Sequence, residues 1–371
     1  MKGKKLAALV FFILLFLFPV LTFVLPQQTF SELENRVLEV FPKLNIQSVI
    51  DRSFMNGFES YVSDHFVGRD MWVSAKGDAE YARGRRENNG VFLCQNALIE
   101  HLGSPDMDIT EKNIEGILAF QKDAGKTPYV MLIPSASEIQ KQKLPRFAQT
   151  WDQKAYIDGV YKKLSETRTV DAYSALSEHS GEDIYYRTDH HWTMQGALLG
   201  YQSLMKAMGL PLKTPALTEV SDSFYGTLYS KAGYRRVLPD KMDAVKLSDG
   251  LVESVSVYNG KETARYASPY FSENLQKKDK YTYYLGENQP LVTIKTTAGT
   301  GRKLLVFKDS YAHCFAPLLL SQFDEIALVD LRYVNGGYRS LVDADGFTDV
   351  LMMYSVDVFS HQQNPAKLAQ K

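Results

Sequence analysis

Five consecutive residues, Thr188, Asp189, His190, His191 and Trp192, set a carboxylate, two imidazoles and an indole side by side. Asp189 and His191 are two positions apart, so one loop can bring a carboxylate oxygen to an imidazole nitrogen. That contact fixes the imidazole's tautomer and leaves its far nitrogen free to take a proton. Such a base needs a nucleophile to act on, and a serine hydroxyl is a poor nucleophile at neutral pH without one. Ser310, in Lys308-Asp309-Ser310-Tyr311, follows the apolar run Leu304-Leu305-Val306-Phe307 and precedes helix-compatible sequence. A strand-to-helix turn of this kind lifts a hydroxyl clear of a sheet. It also puts the serine's backbone N–H at a helix N-terminus, where partial positive charge favours an oxyanion. Ser310, His191 and Asp189 are therefore the candidate nucleophile, base and orienter.

Each of these residues also has a plainer reading. Asp309 and Ser310 both cap helices well. His190 would point elsewhere in an extended loop, as a structural hydrogen-bonding histidine, and Trp192 would pack on the helix that follows. Adjacent histidines cannot easily chelate one ion together, and His65, His101, His179, His313 and His361 are scattered, so no metal site is expected. No cofactor is expected either.

The elements that must hold these residues alternate between helix and strand. Thr110 can cap a helix carrying Ile114, Ile117 and Leu118, which stops before Gly125. Tyr129-Val130-Met131-Leu132-Ile133, closed by Pro134, has the look of a strand buried on both faces. A helix over 156–164 leads to a strand at Thr169-Val170, and later strands are expected at 326–329 and 350–354. Met194, Ala197, Leu198, Tyr201, Leu204, Met205 and Met208 keep a 3.6-residue period up to Gly209, a good C-terminal stop. This helix begins directly after the histidines and would hold them rigidly. The order predicts an α/β fold with a mostly parallel central sheet flanked by helices. Residues 218–297 have a different texture, with short strand-like runs and many tyrosines, and read as a β-rich insertion. Tyrosine faces could stack on sugar rings, although packing in small β-layers explains them equally well.

The composition is ordinary for a globular chain: 371 residues, 45% hydrophobic, 23% charged, with a formal net charge of -1. That charge and the lack of a basic tract argue against nucleic acid as a partner. Residues 6–25 form an uncharged apolar run behind Lys2, Lys4 and Lys5, long enough to span a bilayer and without a small-x-small cleavage site after it. The expected organisation is a cytoplasmic basic tip (1–5), a transmembrane signal anchor (6–25), a helical lead-in (26–87) and an extracytoplasmic domain (88–371). The lead-in includes helical readings for residues 31–36 and 54–72. Two cysteines, Cys94 and Cys314, are too few for a disulfide framework and read best as buried small apolar side chains.

The Thr-Asp-His-His-Trp motif, its Thr-x-x-Gly-Ala helix start and the distant Leu-Leu-Val-Phe-Lys-Asp-Ser-Tyr block resemble the bacterial DHHW family. That family is related to the AlgJ and AlgX proteins of alginate O-acetylation, within the SGNH/GDSL hydrolase group. Glu34-Asn35-Arg36, Phe224-Tyr225-Gly226-Thr227 and Val329-Asp330-Leu331-Arg332-Tyr333 extend the match over nearly everything after residue 25. The resemblance implies an SGNH hydrolase-like domain with Asp189 as orienter, His191 as base and Ser310 as nucleophile. It departs from the classical block at Lys308, where Gly precedes Asp-Ser. The implied function is O-acetyl transfer to a cell-surface or secreted polysaccharide, by a single-pass protein of the bacterial cell membrane. A membrane-bound O-acyltransferase would be the acetyl donor. The alternatives are a carbohydrate O-acetyl esterase with the same triad, or a non-catalytic polysaccharide-binding or assembly scaffold.

Overall fold

Tyr129–Ile133 is buried at every position because helices cover both of its faces. It is one strand of an eight-stranded sheet, labelled in chain order β1 (Tyr129–Ile133), β2 (Arg168–Thr169), β3 (Val252–Tyr258), β4 (Thr263–Tyr266), β5 (Leu291–Thr296), β6 (Lys303–Lys308), β7 (Glu325–Val329) and β8 (Asp349–Ser355). The spatial order is β4-β3-β5-β7-β6-β8-β1-β2. From β7 to β2 the neighbours are parallel, and from β7 through β5 and β3 to β4 they are antiparallel. A computed structural model describes residues 2–31 and 36–370. The chain divides into two compact units, one of residues up to 89 with 229–236, the other of residues 90–228 with 237 onward.

In the larger unit, alternate strand residues feed two separate cores. Met131, Leu304, Val306, Leu328 and Met353 pack with Leu198, Tyr201 and Met205 of the helix Met194–Met208 and with Phe315 of the helix Ala312–Leu319. Val130, Leu132, Leu305, Phe307 and Met352 pack on the other face with Ile114, Ile117 and Phe120 of the helix Met107–Ala124 and with Ile157 and Val160 of the helix Gln153–Lys163. A parallel strand covered on both faces reads as an unbroken apolar run, which is why these strands were visible in the sequence.

Several boundaries differ from the sequence reading. The cap of the helix Met107–Ala124 is Asp106, whose carboxylate accepts from the Asp108 and Ile109 N–H groups. Thr110 lies inside that helix, and its hydroxyl donates back to the Asp106 carbonyl, as threonine does within a helical turn. The helix ends as expected at Gly125, with φ +61°. Residues 218–297, read as a β-rich insertion, are rich in strands, and three of these strands join the main sheet. Leu217–Phe224 pairs with Asp240–Val245, but β3, β4 and β5 extend the main sheet, because Val255, Val292 and Ile294 continue its apolar face. Both cysteines are buried free thiols.

In the smaller unit Lys4–Val24 is, among the described residues, the one segment long and apolar enough to cross a membrane. It widens into a π turn at Ile13–Leu17, just ahead of Pro19. Proline lacks an N–H, and its ring clashes with the carbonyl four residues back; the wider turn relieves that clash. Of the stretch 31–36 read as helical, Glu32, Leu33, Glu34 and Asn35 lie outside the described residues. Its flanks, Phe30–Ser31 and Arg36–Val37, pair as short antiparallel strands, with the Arg36 guanidinium held by the Asp64 carboxylate. The aromatic stretch 54–72 is helical as read, but it is split into Ser53–His65 and Arg69–Ala82 at Gly68, with φ +67°.

Candidate active site

Where parallel strands end, their connecting loops diverge and leave a crevice, the usual ligand site of an open α/β sheet. Here Ser135 and Ser137 follow β1, Ser310 and Tyr311 follow β6, Arg332 follows β7, and Asp357 follows β8. With Glu100, Asp189, His190 and Leu228 these residues line a cavity of about 140 Å³. Ser310 is partly exposed there, while Asp189 and His191 are buried behind it.

The serine turn is pinned from below. Asp309 accepts from the Tyr311 N–H at 3.0 Å and, with its other oxygen, from the Ser355 N–H at 2.7 Å at the end of β8. Asp309 thus ties the serine turn to the end of β8, while the helix Ala312–Leu319 has Tyr311 as its N-cap residue and no side-chain cap. Among the described residues nothing accepts the Ser310 N–H, which sits just ahead of the helix Ala312–Leu319. Two reciprocal bonds then join the serine turn to the histidine loop, 119 residues earlier. The Trp192 Nε1–H donates to the Tyr311 carbonyl at 3.1 Å, and the Tyr311 hydroxyl donates to the His190 carbonyl. Trp192 is also packed on its following helix as expected. A Cβ at Gly200 would lie 2.9 Å from the indole, so that position must stay bare.

Across this frame His191 Nε2 lies 2.7 Å from Ser310 Oγ, and His191 Nδ1 lies 2.5 Å from Asp189 Oδ1. A nitrogen facing a carboxylate carries the proton. Nε2 is therefore the acceptor, and the serine hydroxyl donates to it. Asp189 Oδ1 also takes the His191 backbone N–H at 3.0 Å, and Oδ2 takes the Thr227 N–H at 2.7 Å and the Thr227 hydroxyl at 3.0 Å. Burial opposes charge on Asp189. The attraction of His190 and His191 and the hydrogen bonds from His191 and Thr227 outweigh it and hold the carboxyl well below its usual range. Burial, with repulsion from His190, pushes the His191 imidazole down to about 4 against the pull of Asp189. Both directions describe one ground state, with an ionised carboxylate beside a neutral imidazole.

His190 does not point elsewhere. The loop is bent rather than extended, and the two histidine rings lie 3.9 Å apart between centroids. Because the Thr227 hydroxyl donates to Asp189, its oxygen accepts from His190 Nδ1, at 2.9 Å. Asp189, His190 and His191 bring three potential ligand atoms within 4.8 Å of one another. Two ligands about 2.0–2.1 Å from a tetrahedral ion stand roughly 3.3 Å apart. The 2.5 Å between Asp189 and His191 fits a shared proton rather than a metal.

Sequence reasoning missed four supporting residues. Thr227 completes the carboxylate's shell. Gly226 leaves room for it: a Cβ there would lie 2.3 Å from Asp189 Oδ2. Asp240 accepts from the Arg187 and Thr188 N–H groups, both at 2.9 Å, and fixes the start of the histidine loop. Tyr281 lies flat on His191, with centroids 4.0 Å apart at 10°, and its hydroxyl donates to the Ser310 carbonyl at 3.1 Å. Phe224-Tyr225-Gly226-Thr227 was the one stretch of these with a recognisable pattern. Lys308, where a glycine was expected, has its own task at the ends of β6 and β7. Its buried ammonium lies 3.2 Å from Asp330, which also takes Arg332, and 2.8 Å from His313 Nε2. Burial and then the charge of Lys308 drive the His313 pKa well below its ordinary value, which keeps that nitrogen an acceptor.

Among curated protein sequences, none matches this chain. Among solved structures, a DHHW family protein from Eubacterium siraeum is 24% identical, with a TM-score of 0.66 over 76% of this chain and 95% of that one. PatB1 of Bacillus cereus is 20% identical, with a TM-score of 0.61 over 74% of this chain and 98% of its own. The same protein with a sulfonyl adduct gives 20% and 0.62, over 74% and 97%. These likenesses show the fold. The family profile described as "DHHW protein" matches residues 118–329, a stretch that holds Asp189, His191 and Ser310, and the chain belongs to that family.

Proposed function

We propose that this protein is a serine-dependent O-acetyltransferase acting on a polysaccharide, held to the outer face of the bacterial cell membrane by the span Lys4–Val24. The observation that carries this reading is the unbroken line from Asp189 through His191 to Ser310, opening on a cleft at the strand ends. An SGNH hydrolase-like architecture goes with it. Acetyl as the group transferred, and a membrane-bound O-acyltransferase as its donor, rest on the resemblance to the AlgJ and AlgX proteins.

Ser310 Oγ attacks the acetyl carbonyl while His191 Nε2 takes its proton, and the Ser310 N–H faces the oxygen that becomes negative. The imidazolium returns the proton to the departing donor oxygen as the tetrahedral intermediate collapses to acetyl-Ser310. A sugar hydroxyl then attacks this ester, giving its proton to His191. Collapse releases the acetylated sugar and hands the proton back to Ser310. Asp189 stays ionised throughout and steadies the imidazolium.

The test uses an activated acetyl ester with and without an oligosaccharide. Acetylated sugar supports transfer, and free acetate alone supports the esterase reading. If neither forms and a sulfonyl fluoride leaves Ser310 unlabelled while glycan still binds, the protein is a scaffold.

The acid limb of kcat/KM checks the state of the base. Only neutral His191 can accept the serine's proton. Its depressed pKa keeps it neutral as pH falls from 7, so activity should persist to about pH 5 and fall through about 4. A limb near the ordinary histidine value of about 6.5 would contradict this. Gly226→Ala tests the support beneath the acid. The added methyl cannot share space with Asp189 Oδ2, and a shift on the order of 1 Å costs about 10²-fold in rate. The expected result is a kcat lower by about that factor, with cooperative unfolding retained.

A further inference from the structure

We propose that the helix pair Ser53–His65 and Arg69–Ala82 lies in the outer membrane interface, with its apolar side sunk among lipid acyl chains. This rests on the reading of Lys4–Val24 as a membrane span.

Depth is the argument. A helix of 21 residues is about 31 Å long, close to the roughly 30 Å of a bilayer's hydrocarbon core. If the span fills that core, Phe18, six residues before its outer end, lies about 9 Å inside. Phe18 touches Phe66 and Trp72, with ring centroids 5.9 Å and 6.3 Å away. Nearer the end, Phe23 stacks on Phe58 and Tyr61, both 6.3 Å away. The turn between the two helices reaches the same level: the Val67 N–H donates to the Thr22 hydroxyl at 3.3 Å, and Thr22 is the buried residue of this end of the span. Residues bonded to the outer third of a span share its depth.

Composition agrees. Exposed Met55, Met71 and Trp72 lie on this helix pair, and Ile46 and Ile50 lie just before it. Tyrosine, tryptophan and phenylalanine around the end of a span are the composition of a membrane interface. The one buried acid is not stranded there. Asp64 is held by Arg36 at 2.9 Å and by the Glu39 N–H at 2.8 Å, and Arg69 lies 3.8 Å away. Exposed Asp51, Arg52, Glu59 and Asp70 suit the headgroup level rather than the hydrocarbon. Lipid is therefore the occupant favoured for this face, ahead of a protein.

The experiment uses the full chain in lipid nanodiscs with single spin labels, reading collision with oxygen against a water-soluble nickel chelate. Met55→Cys and Met71→Cys report the face, Phe16→Cys the span, and Lys246→Cys water. The native cysteines stay unlabelled, being buried with thiols pushed up to about 12. Oxygen should dominate at 16, 55 and 71, and the chelate at 246. Oxygen at 16 with chelate at 55 and 71 overturns the inference while leaving the span intact. Chelate dominance at 16 overturns the span and the inference together.

Discussion

Ser310→Ala should lower kcat for acetyl transfer by about 10⁶-fold, the loss expected when a serine nucleophile is removed from such a triad. The variant should fold as the parent does, because the turn does not depend on the hydroxyl. Asp309 still pins it to Ser355, Trp192 still bonds the Tyr311 carbonyl, and Tyr281 still bonds the Ser310 carbonyl. Rate and thermal unfolding measured on the same preparation separate the two effects. Retention of even a few per cent of activity with an unchanged melting curve would remove Ser310 from the chemistry. The same variant should lose covalent labelling by sulfonyl fluorides, which react with an activated serine hydroxyl.

Asp189→Asn should cost about 10⁴-fold, the loss seen when a triad carboxylate becomes an amide and the imidazole takes the wrong tautomer. The surroundings here make that substitution severe. Four donors converge on two oxygens: the His191 backbone and ring N–H groups on one, and the Thr227 N–H and hydroxyl on the other. An amide has one oxygen, so its NH₂ must face a pair of donors whichever way it is turned. The ring can escape by moving its proton to Nε2, which then points at Ser310 and can no longer act as a base. The hydroxyl of Thr227 can rotate, but its backbone N–H cannot. The loss should therefore fall on kcat, with stability also reduced because buried donors are left opposed. Activity within tenfold of the parent would show that Asp189 is not the orienter.

Much of the frame could be read from the chain alone. Strands such as Tyr129–Ile133 and Lys303–Lys308 show as unbroken apolar runs because both faces are covered, and the helix Met194–Met208 shows through its period and Gly209. Asp189 and His191 could be paired on paper because their contact is local. Ser310 was legible through the strand-to-turn pattern around it. What escaped depends on tertiary approach by single residues. Gly226 and Thr227 meet Asp189 from nearly forty positions away, and Tyr281 was one of many tyrosines until its ring lay on His191. That β3 to β5 join the main sheet was not legible, because alternation along a strand does not name its pairing partner. Thr110 was read as the helix cap because threonine caps well, and only the backbone geometry shows Asp106 in that place.

The position of β6 bears on when the chemistry can begin. Both of its neighbours, β7 and β8, come later in the chain, and the Asp309 carboxylate waits for the N–H of a residue 46 positions downstream. A nascent polypeptide therefore carries its serine for some time as an ordinary alcohol, with no imidazole held against it. On the function proposed above, the frame around Ser310 stays incomplete until β8, the last strand of the sheet in chain order, has been made.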